Sequence, residues 1–189
     1  MRFFDRFVKS KNKRNGIRLT DAQVEFYAGR PVFQKITSEK TSRNQIPRID
    51  NMRWVVREYI EGKEVVDLAI GKWPENVMNL HPNVVPRDPY NQPRDVNIKA
   101  LRGIYDTAII SNTLNVIDDD REIISLLELA KILADTTLIT VYGAGTRGKT
   151  RDGYQRGLRL DDYLPFVYQV FGKENVTVRN GVIICEAWR

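Results

Sequence analysis

Two periodicities alternate along the second two thirds of the chain. Tyr105-Asp106-Thr107-Ala108-Ile109-Ile110-Ser111 and the run from Thr136 to Val141 are apolar almost without interruption, as expected of strands buried on both faces. Between them, Ile123, Leu126, Leu127, Ala130 and Leu133 recur at helical spacing, and any of Asp118 to Asp120 can cap a helix over Arg121 to Leu133. Upstream, Glu64 to Ala69 reads as a short strand ending at Gly71. Asn83 to Asp88 reads as a weaker one, in which Pro86 argues against full pairing. Asp161 to Phe171 has helical character despite Pro165. Val176 to Val178 and Val182 to Cys185 form two strands around the turn signal Asn180-Gly181. Strands alternating with helices predict an α/β fold with a mainly parallel central sheet and a C-terminal antiparallel hairpin.

The first third is organised differently. Residues 1–19 read as a basic arm and residues 20–60 as a helical extension of an α/β domain spanning 61–189. A short helix is expected from about Asp21, broken by Gly29-Arg30-Pro31. A second is expected from Met52 to Tyr59, capped by Asp50, with Trp54, Val55 and Tyr59 on its apolar side.

Charge sharpens this division. The chain has 189 residues and a formal net charge of +6. Residues 1–60 carry fourteen Lys/Arg against six Asp/Glu, while the remainder is slightly acidic. Lys9, Lys11, Lys13 and Arg14 form the densest part of the arm, which suits phosphate contact or, more simply, a solvated tail. Nucleic acid is therefore the expected partner, DNA ahead of RNA. With 42% hydrophobic residues the chain can fill one ordinary core. No uncharged run approaches the roughly 18–20 residues of a membrane helix, and Met1 to Phe7 lacks the apolar segment of a secretory signal. A cytoplasmic protein without membrane association is expected, and its oligomeric state stays open. The single cysteine, Cys185, excludes an intrachain disulfide and reads as a buried inert thiol. The single histidine, His81, reads as structural, and no zinc-ligand spacing exists, so no metal is expected.

Chemistry concentrates at the predicted strand ends. In Val65-Val66-Asp67-Leu68-Ala69-Ile70-Gly71 a buried strand opens into a glycine turn, which lets backbone approach a ligand at the carboxyl edge of the sheet. Asp67 is placed to fix a polar group there. Asp88, at the end of the next strand, is placed to accept hydrogen bonds from both hydroxyls of a ribose. The same residues also fit an ordinary strand–turn pair with two surface acids. G-x-G-x-x-G and P-loop patterns are absent, because Lys72-Trp73-Pro74 follows Gly71. Trp73 is placed to flank an adenine. From Gly143 to Leu160 a glycine-rich excursion carries Arg147, Lys149, Arg151, Arg156 and Arg159 against one acid, Asp152. It suits a phosphate clamp or substrate lid, with Tyr154 to stack on a base and Gln155 to bond its edge, or else a solvated loop.

Taken in order, Val65 to Gly71, Asp88, and Asp106 through Ser111-Asn112 resemble the class I S-adenosylmethionine-dependent methyltransferases. Asp88-Pro89-Tyr90, Asn112 to Ile117 and Thr150 to Arg156 are most similar to the methyltransferases associated with DNA phosphorothioation and to related phage proteins. The resemblance implies a Rossmann-like methyltransferase fold and S-adenosyl-L-methionine as cofactor. It implies methyl transfer to a nucleic acid or nucleotide-like acceptor, in the host cytoplasm for a phage protein. Asp67, Ala69, Gly71, Trp73, Asp88 and Asn112 would bind the cofactor. Asn112, at the end of the family's fourth strand, would with Tyr154 and Gln155 face the acceptor. Arg147, Lys149, Arg151 and Arg156 would join the arm in holding phosphates. The family's second loop glycine is missing here, and the space before the second strand leaves room only for a short or broken first helix. Those departures also fit a catalytically inactive binding module of the same fold.

Overall fold

The computed structural model describes residues 18–36, 46–143, 145, 147–150 and 153–187. Six strands form the main sheet: β1 (Val65–Asp67), β2 (Val84–Pro86), β3 (Tyr105–Ser111), β4 (Ala134–Thr140), β7 (Val176–Arg179) and β8 (Val182–Glu186). Their spatial order is β2-β1-β3-β4-β8-β7. The first four are mutually parallel, and β8 runs antiparallel to β4. A separate small hairpin, β5 (Gly148–Thr150) and β6 (Gly153–Gln155), lies in the excursion after β4.

Side-chain parity splits the core in two. Val66, Ala108, Ile110, Ile139 and Ile183 face one layer, filled by Val24 and Ala28 of α1 (Asp21–Ala28), by Ala100 and Leu101 of α4 (Arg94–Leu101), by Ile123 and Leu127 of α5 (Asp120–Leu133), and by Val167 and Phe171 of α6 (Leu164–Phe171). Val65, Ile109, Leu138 and Val182 face the other, closed by Ile49, by Val55 of the single turn α2 (Arg53–Val55), by Ile60 of the π-helical turn that extends it, and by Val77 of α3 (Glu75–Met78). Both faces are covered, which is why the central strands read as unbroken apolar runs.

Local chemistry sets the boundaries. Thr20 caps α1 in a reciprocal box with Gln23. Asp119 caps α5 through the Arg121 amide. Pro165 falls in the first turn of α6, where its missing N–H has no intrahelical partner to lose. Pro86 is accommodated because β2 is the edge of the sheet. Asn180 and Gly181 both take positive φ, 52° and 78°, as a two-residue hairpin turn requires.

One expectation is corrected. Asp50 does not cap the helix after Met52; no side chain caps it, and Asp50 lies in a 3-10 turn, Arg48–Asn51, with its carboxyl buried. The strand ending at Ser111 is the third in the chain, as the order of apolar runs predicts, and α4 alone connects β2 to β3. The helix between Gly71 and β2 is short, as the sequence spacing requires: α3 has four residues.

Candidate functional site

In this strand order the chain leaves β1 in one direction for β2 and crosses to its other side for β3. At such a reversal the connecting loops diverge and leave a crevice beyond the carboxyl ends of the strands. A cavity of about 330 Å³ lies there, walled by the loop after β1, the segment after β2, the turn after β3, Tyr142 and Gln155.

The loop after β1 is clasped from both sides. Gly71 takes φ +82°, a conformation that favours glycine. Its N–H donates to Asp88 Oδ2 at 3.0 Å, and its carbonyl accepts from Gln92 Nε2 at 2.8 Å. Asp88 Oδ1 accepts from the amides of Tyr90 and Asn91 at 2.9 and 3.0 Å. Asn97 of α4, itself buried, pins the backbone on either side of Asp88. The carboxylate thus organises both loops. With three of its roughly four acceptor positions filled, it has room for one further donor on Oδ2, not for both hydroxyls of a ribose.

Asp67 sits behind this loop rather than in the cavity wall. Its Oδ1 accepts from the Ala69 amide at 3.0 Å, and it is almost fully buried. Burial, then the nearby Asp50 and Asp88 charges, push its carboxyl well above the usual carboxylate range. Ala69, Gly71, Trp73, Asp88 and Asn112 all line the cavity. Trp73 forms wall without filling the space, and Lys72 lies 5.7 Å from its ring centroid. Asn112 takes φ 55° and donates its N–H to the Thr140 carbonyl, joining the tips of β3 and β4.

Other wall residues escaped the sequence reading. The Arg87 guanidinium donates to the carbonyls of Leu68 and Tyr27 at 2.9 and 2.7 Å; burial lowers its pKa to about 10 while Asp88 beside it holds it up. Tyr27, Arg30, Pro31 and Gln34 close one side of the cavity. The segment that carries them is strapped to the start of α5. The Phe33 amide donates to Glu122 at 2.6 Å, the Lys35 and Ile36 amides donate to Asp118, and the Arg121 guanidinium stacks 3.8 Å from the Phe33 ring centroid. Arg30 lies 5.7 Å from the Tyr90 ring. Burial first, then the Glu122 charge, pushes the Tyr90 phenol up to about 12, so it stays a hydrogen-bond donor at neutral pH.

On the opposite wall, Asn115 Nδ2 donates to Gln155 Oε1 at 2.9 Å. Gln155 therefore reaches the cavity, and Tyr154 does not. Successive strand residues point to opposite faces, and Tyr154 is absent from the wall. Arg156 is also corrected. Its amide donates to the Asn115 carbonyl, its Nε to the Ile117 carbonyl at 2.6 Å, and its guanidinium lies 2.7 Å from Asp120, with 9% of the residue exposed. It braces β6 and offers no surface to phosphate. Arg156→Ala is expected to lower stability by about 1–2 kcal/mol, the range for one charge-assisted hydrogen bond with a mostly exposed ion-pair partner. A thermal melt checks this. Arg147 and Lys149 are exposed. Lys9, Lys11, Lys13, Arg14 and Arg151 lie outside the described residues.

His81 Nε2 lies 2.9 Å from the Asp50 carbonyl oxygen, a structural contact on the far core. Cys185 is buried, and burial raises its thiol far above the ordinary value. Among the described residues no cluster of potential metal ligands exists, and no helix is long and apolar enough to cross a membrane.

The fold is thus mixed α/β, with a mainly parallel central sheet and β8 inserted antiparallel beside β4. Among solved structures, the chain is similar to the N-terminal domain of EvdMO1 with SAH bound, at 13% identity over 93% of this chain and 100% of that one, TM-score 0.46. The same domain in the presence of SAH and D-fucose aligns at 13% identity over the same shares, TM-score 0.45. An O-methyltransferase family protein from Burkholderia thailandensis aligns at 16% identity over 72% of this chain, TM-score 0.40. The chain spans 52% of that protein's length. No protein-family model and no curated protein matches the chain.

Proposed function

We propose that this chain binds S-adenosyl-L-methionine in the cavity at the tips of β1, β2 and β3 and transfers its methyl group to a nucleic acid or nucleotide-like acceptor. The observation that carries the reading is the clasp of Gly71 by Asp88 and Gln92 at the point where the strand order reverses. It holds a glycine loop and a strand-end carboxylate against one cavity. A volume of about 330 Å³ falls in the range of small-molecule sites, roughly 300–1,000 Å³.

The residues present fit such a cofactor. Asp88 Oδ2 keeps one acceptor position for a ribose hydroxyl. Trp73 and Tyr90 supply flat apolar surface for an adenine. Arg87 Nε, the Tyr90 hydroxyl and Asn115 Oδ1 are buried without hydrogen-bond partners, and each unpaired group costs about 1–3 kcal/mol unless a ligand or bound water satisfies it. When bound, the cofactor supplies a methyl group already activated on a sulfonium centre. The protein's part is then orientation and exclusion of water more than acid–base chemistry, so a single histidine on the far core is no obstacle. Asn112, Tyr142 and Gln155 form the side of the cavity left for the acceptor. The strap from Tyr27 to Gln34 shields the cofactor side. Trp73 leaves the cavity open, which favours this reading over an inactive module of the same fold.

Exposed Arg147 and Lys149, with Arg151 and the basic arm, are the proposed phosphate contacts, for DNA ahead of RNA. Calorimetric titration with S-adenosylmethionine and its demethylated product should give saturable one-site binding; no heat from folded protein overturns the cofactor reading. Labelled methyl should then pass to DNA or RNA. Arg147→Glu with Lys149→Glu and Arg151→Glu should flatten the salt dependence of nucleic-acid binding by a slope of about 2–3. An unchanged slope removes these residues from the footprint.

A further inference from the structure

Asn115 and Gln155 each carry a primary amide, and each amide offers a carbonyl acceptor and an NH₂ donor. One hydrogen bond joins them, from Asn115 Nδ2 to Gln155 Oε1. That bond consumes one donor group and one acceptor and leaves the complement: the Asn115 carbonyl, buried with no partner, and the Gln155 NH₂, which has no hydrogen bond to any described residue. If both amides were turned over, the bond would run the other way and the pair would still present one donor and one acceptor. The conclusion does not depend on which atom is nitrogen.

The pair is held rigidly. Asn115 lies in a 3-10 turn, Leu114–Val116, directly after β3, and its backbone carbonyl accepts from the Arg156 amide at 2.8 Å. Gln155 ends β6, which Arg156 fastens to Ile117 and Asp120. Among the described residues, the cation nearest the pair in sequence, Arg156, is bound to Asp120, and Arg87 holds two backbone carbonyls. The neighbouring wall residue Tyr142 exposes 72% of its surface at the cavity margin, a flat aromatic face open to stacking.

We propose that Asn115 and Gln155 are a specificity-determining pair that reads the hydrogen-bonding edge of an unpaired nucleobase. An adjacent donor and acceptor on a neutral planar ring is what the free amide groups complement. A phosphate or carboxylate offers acceptors alone and would leave the free Asn115 carbonyl unmet. This rests on the proposed function and names the acceptor within it: a base exposed in a single strand or swung out of a duplex.

The test uses the full chain and short single-stranded DNA oligonucleotides of one base each, beside an abasic oligonucleotide of the same length and charge. Each is titrated with and without saturating S-adenosylhomocysteine. Wild-type protein should prefer at least one base-bearing strand over the abasic strand by about tenfold or more, the discrimination typical of a bidentate contact. Gln155→Glu keeps the acceptor that Asn115 Nδ2 needs but turns the spare donor into an acceptor. It should bring the preference close to unity while abasic-strand affinity, thermal stability and S-adenosylhomocysteine affinity stay within about twofold. A merely structural role for the pair would leave the preference untouched in this variant. Gln155→Leu, which strands Asn115, should lose the preference as well. Equal preference in wild type and Gln155→Glu, or no preference for any base in wild type, overturns the assignment. Loss of S-adenosylhomocysteine binding overturns the cofactor reading instead, and the titrations without it still decide the pair.

Discussion

Asp88→Ala is expected to weaken S-adenosylhomocysteine binding by at least about 100-fold and to lower stability by about 3 kcal/mol, for one shared reason. The carboxylate accepts from three backbone amides on two loops, those of Gly71, Tyr90 and Asn91. A hydrogen bond to a charged acceptor contributes about 1.5–3 kcal/mol, but the three amides differ in what replaces it. Asn91 is exposed and rehydrates; Tyr90 is half-buried; Gly71 is buried and its N–H is stranded. The loss therefore comes mostly from Gly71 and Tyr90. In a chain of this length 3 kcal/mol corresponds to a fall in Tm of about 6–12 °C. Cofactor affinity falls with it, because the glycine loop is no longer held against the segment after β2. At about 1.4 kcal/mol per tenfold, that energy is two decades of affinity. Affinity for an abasic strand should be preserved, since the exposed basic residues do not depend on this clasp. Asp88→Asn should fall between, because its one remaining carbonyl can serve Gly71 or the Tyr90–Asn91 turn but not both. A folded Asp88→Ala protein that binds S-adenosylhomocysteine like wild type would remove Asp88 from the site.

The central strands are legible in the sequence because burial on both faces leaves little alternation to misread, and Asn180-Gly181 announces the hairpin through a backbone geometry few residue pairs adopt. Gly71 and Asp88 are legible as partners because both stand at strand ends, and adjacent parallel strands bring those ends together. The strap is different. Its anchors are side-chain bonds from Asp118 and Glu122 to amides more than eighty positions earlier, and nothing in Pro31 to Ile36 marks them beforehand. Of the excursion after β4, Gln155 lines the cavity, yet residue type alone favours Tyr154 and Arg156 over it. The strand's alternation gives the wall to Gln155, and Arg156 turns inward because the Ile117 carbonyl needs a donor. Asn115 lies inside a stretch singled out from the sequence, but its role appears only through a contact forty residues away. Asp50 precedes a helix as a cap would, and it fails to cap because the 3-10 turn after Pro47 tucks it beneath the sheet.

That misplaced acid has a measurable consequence: Asp50→Asn should make the protein more stable at neutral pH. Asp50 is 1% exposed, and neither carboxyl oxygen has a hydrogen-bond partner. Burial raises its pKa from the ordinary 3.8 to about 6, and the nearby His81 offsets only part of this. The second buried acid, Asp67, lies close enough for the Asp50 charge to raise its pKa too. An unfolded chain releases the Asp50 proton near pH 4, whereas the folded chain keeps it to about pH 6. Between those values the folded state binds more protons, so stability falls as pH rises. Above pH 6 the full penalty is present, about 3 kcal/mol for a shift of this size. Asparagine removes the charge but buries an amide in the same partnerless place, which leaves a net gain of about 2 kcal/mol and a rise in Tm of about 4–8 °C at pH 8. At pH 4 the folded chain keeps the proton and most of the penalty is gone, so the variant should melt within about 2 °C of wild type. Melting curves from pH 4 to pH 8 decide the matter. Wild-type stability should decline between pH 4 and pH 6, and the variant should lack that decline. Equal slopes, or a variant less stable at pH 8, would mean that Asp50 finds a proton donor or cation in the folded protein and is not an isolated buried charge.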